Sequence, residues 1–191
     1  MPQQKVKSTV QFEGTVTRQL FDSTGKPKPQ FKDNFLWQIV RKMFKIDLRI
    51  PFITGVWTTQ AIKHNVITTV GKQLIMGRTG GTNSGSIGST AVTGMALGTG
   101  TPGATALGAE ITTNGGGRAA STVTNTTTTT TGDTEQWAHT FTFTGGLAIT
   151  EEGLFDSNSA SSGNMLASQT FSVTNVVNTD TLAITHQVKA S

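Results

Sequence analysis

Three histidines and one adjacent pair of glutamates are the residues of this chain whose chemistry could serve catalysis or metal binding. His64, His139 and His186 lie far apart in the sequence and form no local metal-binding motif. Glu151 and Glu152 would point to opposite faces of a strand, so they cannot work together as a general acid and base. We interpret the histidines as structural and predict no catalytic residue, no metal site and no cofactor.

Two glycine-rich stretches, at residues 78–90 and 98–103, resemble phosphate-binding loops only in composition. They lack the lysine of a P-loop and the strand-to-helix setting of a dinucleotide site, so we interpret them as turns. A polysaccharide depolymerase, the enzyme class that we considered, would need a pair of cooperating carboxylates. The sequence therefore predicts a protein that is not an enzyme.

A basic and aromatic segment near the N-terminus is the best candidate for an interaction surface. Apolar residues at positions 35, 36, 39, 40, 43 and 44 follow the spacing of an amphipathic helix, which we predict over about residues 34–45. Cations on its other side could contact nucleic acid, but we favour a protein partner because a wide apolar stripe has to be covered. The candidate interface residues are Phe12, Phe31, Phe35, Trp37, Ile39, Arg41, Lys42, Met43, Phe44, Lys45 and Arg49.

The rest of the hydrophobic pattern indicates strands. Even positions are mainly apolar and odd positions polar at the N-terminus, which predicts a half-buried strand over residues 5–17. Residues 126–131 are all Thr, and either a strand or a loop fits them. Further strands are expected at residues 52–59, 65–70, 72–76 (where a short helix also fits), 91–97, near 110–113, and at 119–131, 137–144, 147–150, 171–177 and 181–188.

Composition supports a β-rich fold. The 191 residues include 36 Thr, a β-branched residue that favours strands, while charged residues make up 14%, against about 25% in a typical domain. These values exclude a helical bundle, a coiled coil and a charge-driven disordered chain. There is no Cys, and no apolar run is long enough for a membrane helix or a signal peptide, so we expect synthesis in a cytoplasm.

The fold that these patterns predict is an antiparallel β-sandwich, jelly-roll-like, with an N-terminal arm. The net charge differs between two parts of the chain. Residues 1–50 carry ten basic and four acidic side chains, whereas residues 51–191 carry five basic and seven acidic ones. We assign residues 1–57 to the arm, with one strand and one short helix. Residues 58–191 form the sandwich, with Gly/Ser/Thr-rich loops at 77–132.

Several short runs between residues 62 and 188 resemble, in their order, a family of virion structural proteins of tailed bacteriophages. Members often carry Trp at the position of His186. The resemblance implies a non-enzymatic, β-rich particle component of either the head or the tail. The runs are Asn65–Ile75, Met95–Pro102, Leu107–Glu110, Ile149–Phe155, Gly163–Leu166, Phe171 and Asp180–Val188.

Residues and resemblance together predict a capsid decoration (cement) protein of the virion. Its expected partners are the major capsid protein and sister subunits in a homo-oligomer, a dimer or trimer, with the arm as the docking element. We expect neither nucleic acid nor membrane as a partner. The alternative is a tail or fibre component, with the loops at 77–132 contacting a host receptor.

Overall fold

A computed structural model describes residues 11–33, 55–80 and 90–190 of the chain. Strands make up 51% of it. The strands are β1 (Phe12–Phe21), β2 (Gln30–Asp33), β3 (Gly55–Thr58), β4 (Ala61–His64), β5 (Val66–Ile67), β6 (Gly94–Gly98), β7 (Ala119–Ala120), β8 (Thr122–Thr126), β9 (Thr134–Thr142), β10 (Leu147–Phe155), β11 (Met165–Val176) and β12 (Thr181–Ala190), and the helix α1 spans Thr69–Gly80.

The first sheet has the strand order β4-β1-β12-β9-β8, and all neighbouring strands are antiparallel. β1 pairs with β12 along its whole length, from Phe12 opposite Ala190 to Phe21 opposite Thr181. The alternation of apolar and polar residues places Val16 and the other even positions on the inner face. The predicted strand is confirmed from residue 12 to 17 and continues to Phe21, while residues 5–10 lie outside the described part.

The second sheet has the order β5-β11-β10-β6-β7 and is also antiparallel. β10 and β11 are its long central strands, and their pairing shifts register between Ile149 and Glu151. β6 is buried along its whole length. The strands β2 and β3 form a separate two-stranded sheet.

The inner faces of the two large sheets share one hydrophobic core, so the fold is a β-sandwich, as predicted. Leu182 and Ile184 of the first sheet are buried in the same cluster as Ile149, Leu154 and Phe171 of the second. The strand orders do not test the jelly-roll description, which stays a prediction.

The segment after β5 is helical, so the strand predicted at residues 65–70 is confirmed only at Val66–Ile67, and the helical alternative holds at 72–76. Thr68 caps α1, because its Oγ1 accepts the backbone N–H of Gly71 at 2.7 Å. Leu74 is buried on the face that packs on β11. Gly71 lies directly against the Leu166 carbonyl, so the helix docks through a glycine rather than through a broad apolar stripe.

One further prediction needs correction, and one open alternative is decided. The weak strand expected near residues 110–113 is a single bridge between Glu110 and Gly98. Thr127–Thr131 lie in a loop, since β8 ends at Thr126 and β9 begins only at Thr134. The helix predicted at 34–45 lies outside the described residues.

The position of β1 bears on the predicted arm. β1 lies between β4 and β12 in the first sheet, so residues 12–21 belong to the sandwich. The remaining part of the division at residue 57 stays a prediction. Any arm that projects from the sandwich therefore has to exclude β1.

Candidate functional site

The structure describes two of the predicted interface residues, Phe12 and Phe31. The other nine, between positions 35 and 49, lie outside the described residues. Phe12 opens β1, is half-buried and packs against the main core. Phe31 lies in β2, opposite Trp57 of β3. The two residues belong to different sheets, so the described part of the chain does not join them into one surface.

Phe12 also lines a groove between helix α1 and one end of the first sheet. The groove has a volume of about 400 Å³ and its walls include Leu74, Trp137 and Val188. Trp137 is fixed there because its indole N–H donates to the Val92 carbonyl at 2.7 Å. The groove is a depression beside the start of β1 whose wall combines apolar residues with charged ones such as Arg78 and Asp133.

His186 is the centre of a buried polar cluster that connects the two sheets. It lies on β12 in the first sheet, and its Nδ1 is 3.0 and 3.1 Å from the two carboxylate oxygens of Glu152 on β10 in the second. Both side chains are fully buried. With the carboxylate in its ionised form, which can only accept, Nδ1 is the donor of this contact. The ring Nε2 contacts the side-chain amide of Asn65, between β4 and β5.

Glu151, the neighbour of Glu152, has a separate set of partners. Its Oε1 accepts the backbone N–H groups of Gly100 and Ala109, each at 3.0 Å, and its Oε2 accepts that of Gly108 at 3.1 Å. The carboxylate is fully buried and ties the loop after β6 to β10. The two adjacent glutamates therefore have different hydrogen-bond partners, and the prediction that they do not act together in catalysis stays a prediction.

Arg118 and Glu110 form the ion pair that holds the next stretch of the chain. The guanidinium Nε and Nη2 donate to the two Glu110 oxygens, both at 2.8 Å, which is the bidentate geometry that makes such pairs strong. Arg118 also stacks on the Phe155 ring, with its Cζ 3.7 Å from the ring centroid. The segment before β7 is therefore fixed against the second sheet.

Asp133 organises the threonine loop before β9. Its carboxylate accepts the backbone N–H groups of Thr128, Thr129 and Thr130, each at 2.9 Å. These hydrogen bonds, led by the one from Thr130, hold the pKa of Asp133 well below its usual range. The six-threonine run thus ends in an ordered loop around one carboxylate.

The other two histidines have no such carboxylate partner among the described residues. His64 is exposed at the end of β4. His139 is half-buried on β9 and meets the Phe141 ring edge-on at 4.5 Å between centroids. Burial lowers the pKa of His139.

The described residues contain no cluster of three or more His, Asp or Glu side chains that could hold a metal ion. In the same residues no helix has the length and apolarity needed to cross a membrane. The chemistry that the buried carboxylates perform is the acceptance of hydrogen bonds from backbone, His and Arg donors.

One buried charged residue, Arg18, was missed in the sequence. It stands on the inner face of β1 with Val16 and Leu20, and it is only 3% exposed. The alternation that predicts β1 already contained this signal, because Arg18 and Leu20 continue the even-numbered face beyond Val16. A cation at an inward-facing position of a strand is unusual, because charged side chains are almost never fully buried unless they are paired.

No family model, no curated protein and no solved structure matches this chain in the comparisons with known proteins.

Proposed function

We propose that this chain is a non-enzymatic structural component of a bacteriophage particle, a decoration protein that binds the major capsid lattice and sister subunits and stabilises the head. The observation that supports this function best is the use of the buried acidic residues. Glu151 and Glu152 serve as hydrogen-bond acceptors that fix the fold, and both are fully buried. A rigid scaffold of this kind suits a building block.

The same residues belong to the runs that resemble virion structural proteins. Asn65, Glu152 and His186 come from three different runs and meet in one buried cluster. Glu110 and Glu151, also in these runs, hold the loops beside β6. Residues from separate runs of the resemblance therefore contribute to the same polar contacts of the fold, although members of that family often carry Trp at the position of His186.

The charge distribution supports binding to a protein lattice. The sandwich from residue 58 onward is nearly neutral, while the net positive charge lies in the first 50 residues. A basic segment attracts an acidic surface over a long range and helps to set the register of docking. We infer that residues 34–50 are the docking element and that the sandwich is the body of the subunit.

A charge-reversal variant tests this role of residues 34–50. Deletion of residues 1–50 would be a poor test, because it would remove β1 from the middle of the first sheet. The variant Arg41→Glu, Lys42→Glu and Lys45→Glu leaves β1 intact. Added to particles that lack the chain, it should bind with at least tenfold lower occupancy than the unaltered chain.

The matched control uses cations in the described residues outside this segment. Lys72→Glu, on an exposed position of α1, combined with Lys26→Glu and Lys189→Glu, reverses the same number of charges. This control should retain most of its occupancy. Equal occupancy of the two triple variants would contradict docking through residues 34–50.

A further inference from the structure

Arg18 is a buried cation that forms no direct ion pair within the part of the chain that the structure describes. Its Nη1 donates to Thr174 Oγ1 at 2.9 Å, and its Cζ lies 3.6 Å from the centroid of the Phe171 ring. Its Nε is buried and has no hydrogen-bond partner. Among the described residues no carboxylate comes within ion-pair distance of the guanidinium. The geometry leaves the positive charge incompletely compensated.

The charge persists at neutral pH in spite of burial. Loss of water lowers the pKa of Arg18 to about 10, partly offset by the negative charge of Glu152. Glu152 is hydrogen-bonded to His186 and is therefore already engaged. An unpaired buried charge is unfavourable, so an inward cation at this position calls for an anion that the described residues do not supply in direct contact.

A cavity opens beside Arg18 between the edges of the two large sheets and the small sheet. It has a volume of about 190 Å³, and Arg18, Lys28 and Gln30 contribute polar groups to its wall. The side-chain nitrogen of Gln30 is buried without a partner, while its Oε1 accepts from Thr174 Oγ1 at 3.4 Å. Lys28 is paired with Asp180 at 2.7 Å. Arg18 and Gln30, which both line the cavity, each retain one buried N–H group without a hydrogen-bond partner.

We propose that this cavity binds the carboxylate of an Asp or Glu side chain from a protein partner. Two donors match the two oxygens of a carboxylate, and a guanidinium is the side chain best suited to hold them. A volume of about 190 Å³ is below the ~300–1,000 Å³ of common small-molecule sites, so it fits a side chain better than a sugar or a nucleotide.

The rim of the cavity supports a protein partner. Three large apolar side chains surround the opening and remain about half exposed: Trp57 at 52%, Ile62 at 56% and Val173 at 48%. A charged anchor within an apolar rim that excludes water is the usual arrangement of an interface hot spot. The inference rests on the proposed function in taking the partner to be a protein surface of the particle, but the binding site can be tested without the particle.

The first experiment measures carboxylate binding by NMR on the whole chain. The probe is N-acetyl-glutamate N-methylamide, and the matched neutral probe is the corresponding glutamine compound. The Nε–H signal of Arg18 should shift and saturate with the glutamate probe in the millimolar range, and it should hardly move with the glutamine probe. No shift with either probe, or equal shifts with both, would overturn the proposal.

A third probe separates a protein side chain from an acidic glycan. Glucuronate carries the same carboxylate on a sugar ring, and it should bind at least tenfold more weakly than the glutamate probe. Tighter binding of glucuronate would overturn the assignment to a protein partner and assign the site to a sugar acid.

Variants at the rim avoid the risk that a substitution of buried Arg18 simply prevents folding. Val173→Glu places a competing carboxylate at the cavity opening and should weaken binding of the glutamate probe at least tenfold. Val177→Glu is the matched control, because Val177 is similarly exposed and does not line the cavity. Equal binding to the two variants would overturn the proposal.

Particle occupancy of the same two variants links the site to the proposed function. If the chain decorates a particle through this cavity, Val173→Glu should lower occupancy and Val177→Glu should not. Probe binding without any particle association would contradict the proposed function and leave the carboxylate site standing. Particle association that Val173→Glu leaves unchanged would show that the particle does not use this site, and would overturn the particle as its partner.

Discussion

Replacement of His186 by Phe should destabilise the protein strongly, because it leaves the Glu152 carboxylate buried without its partner. Both side chains are fully buried, and the only hydrogen bonds that the described residues give Glu152 come from His186 Nδ1, at 3.0 and 3.1 Å. Removal of one member of a buried pair costs about 3–5 kcal/mol of unfolding free energy. In a chain of this size that corresponds to a fall in Tm of roughly 6–20 °C.

The assay is urea unfolding at pH 7.5, followed by circular dichroism and tryptophan fluorescence. Trp137 is a suitable reporter, since it is buried and its ring meets His186 edge-on at 6.4 Å between centroids. His64→Phe, at an exposed position, is the control and should change the unfolding free energy by less than about 1 kcal/mol.

A double-mutant cycle tests the reasoning more closely. Glu152→Gln removes the buried charge, so the double variant with His186→Phe should be more stable than His186→Phe alone, by at least about 1 kcal/mol. If His186→Phe is as stable as the unaltered chain, or if the two effects simply add, the pair does not hold the sheets together as described.

Three other predictions concern separate parts of the fold. Gly71→Ala should destabilise the protein by about 1–3 kcal/mol in urea unfolding, although Ala usually favours helices, because its Cβ would collide with the Leu166 carbonyl; equal or greater stability would contradict the docking of α1. Glu151→Gln should lower the unfolding free energy by about 1–3 kcal/mol and speed hydrogen exchange at the Gly100 and Ala109 amides, since the charge-assisted hydrogen bonds are lost. Unchanged exchange would contradict the role of Glu151 in holding the loop after β6. Burial lowers the pKa of His139, so the folded protein favours the neutral ring, and the contribution of His139 to stability is complete above about pH 6.5 and declines as the pH falls further. His139→Gln should therefore reduce the loss of unfolding free energy between pH 7.5 and 5.5. An equal loss in the variant and the unaltered chain would refute a lowered pKa of His139 in the folded state.

The sequence predicted the strands whose two faces differ. β1 and β12 alternate because one face packs in the core and the other meets solvent or an edge, and residues such as Val16 and Ile184 show this difference in the sequence. The sandwich followed from the number and spacing of such strands. Helix α1 was only partly predicted, because it docks through Gly71 and a Thr68 cap and has no broad apolar stripe.

The polar clusters could not be predicted in the same way. Glu152 and His186 lie on different sheets and 34 positions apart, so no local pattern indicates that they meet. Their pairing depends on how β10 and β12 face one another across the core. Arg18 could have been found by extending the alternation of β1, but its open cavity depends on β2, β3 and β11 coming together around it.

The copy number of this chain in purified phage particles tests the central claim most directly. Quantitative mass spectrometry, with the major capsid protein of the same particles as internal reference, gives the ratio of the two chains. A decoration protein that covers a symmetric lattice should be present in hundreds of copies, in a simple ratio to the capsid protein. About a dozen copies or fewer would indicate a tail component, and absence from the particles would contradict a virion role altogether.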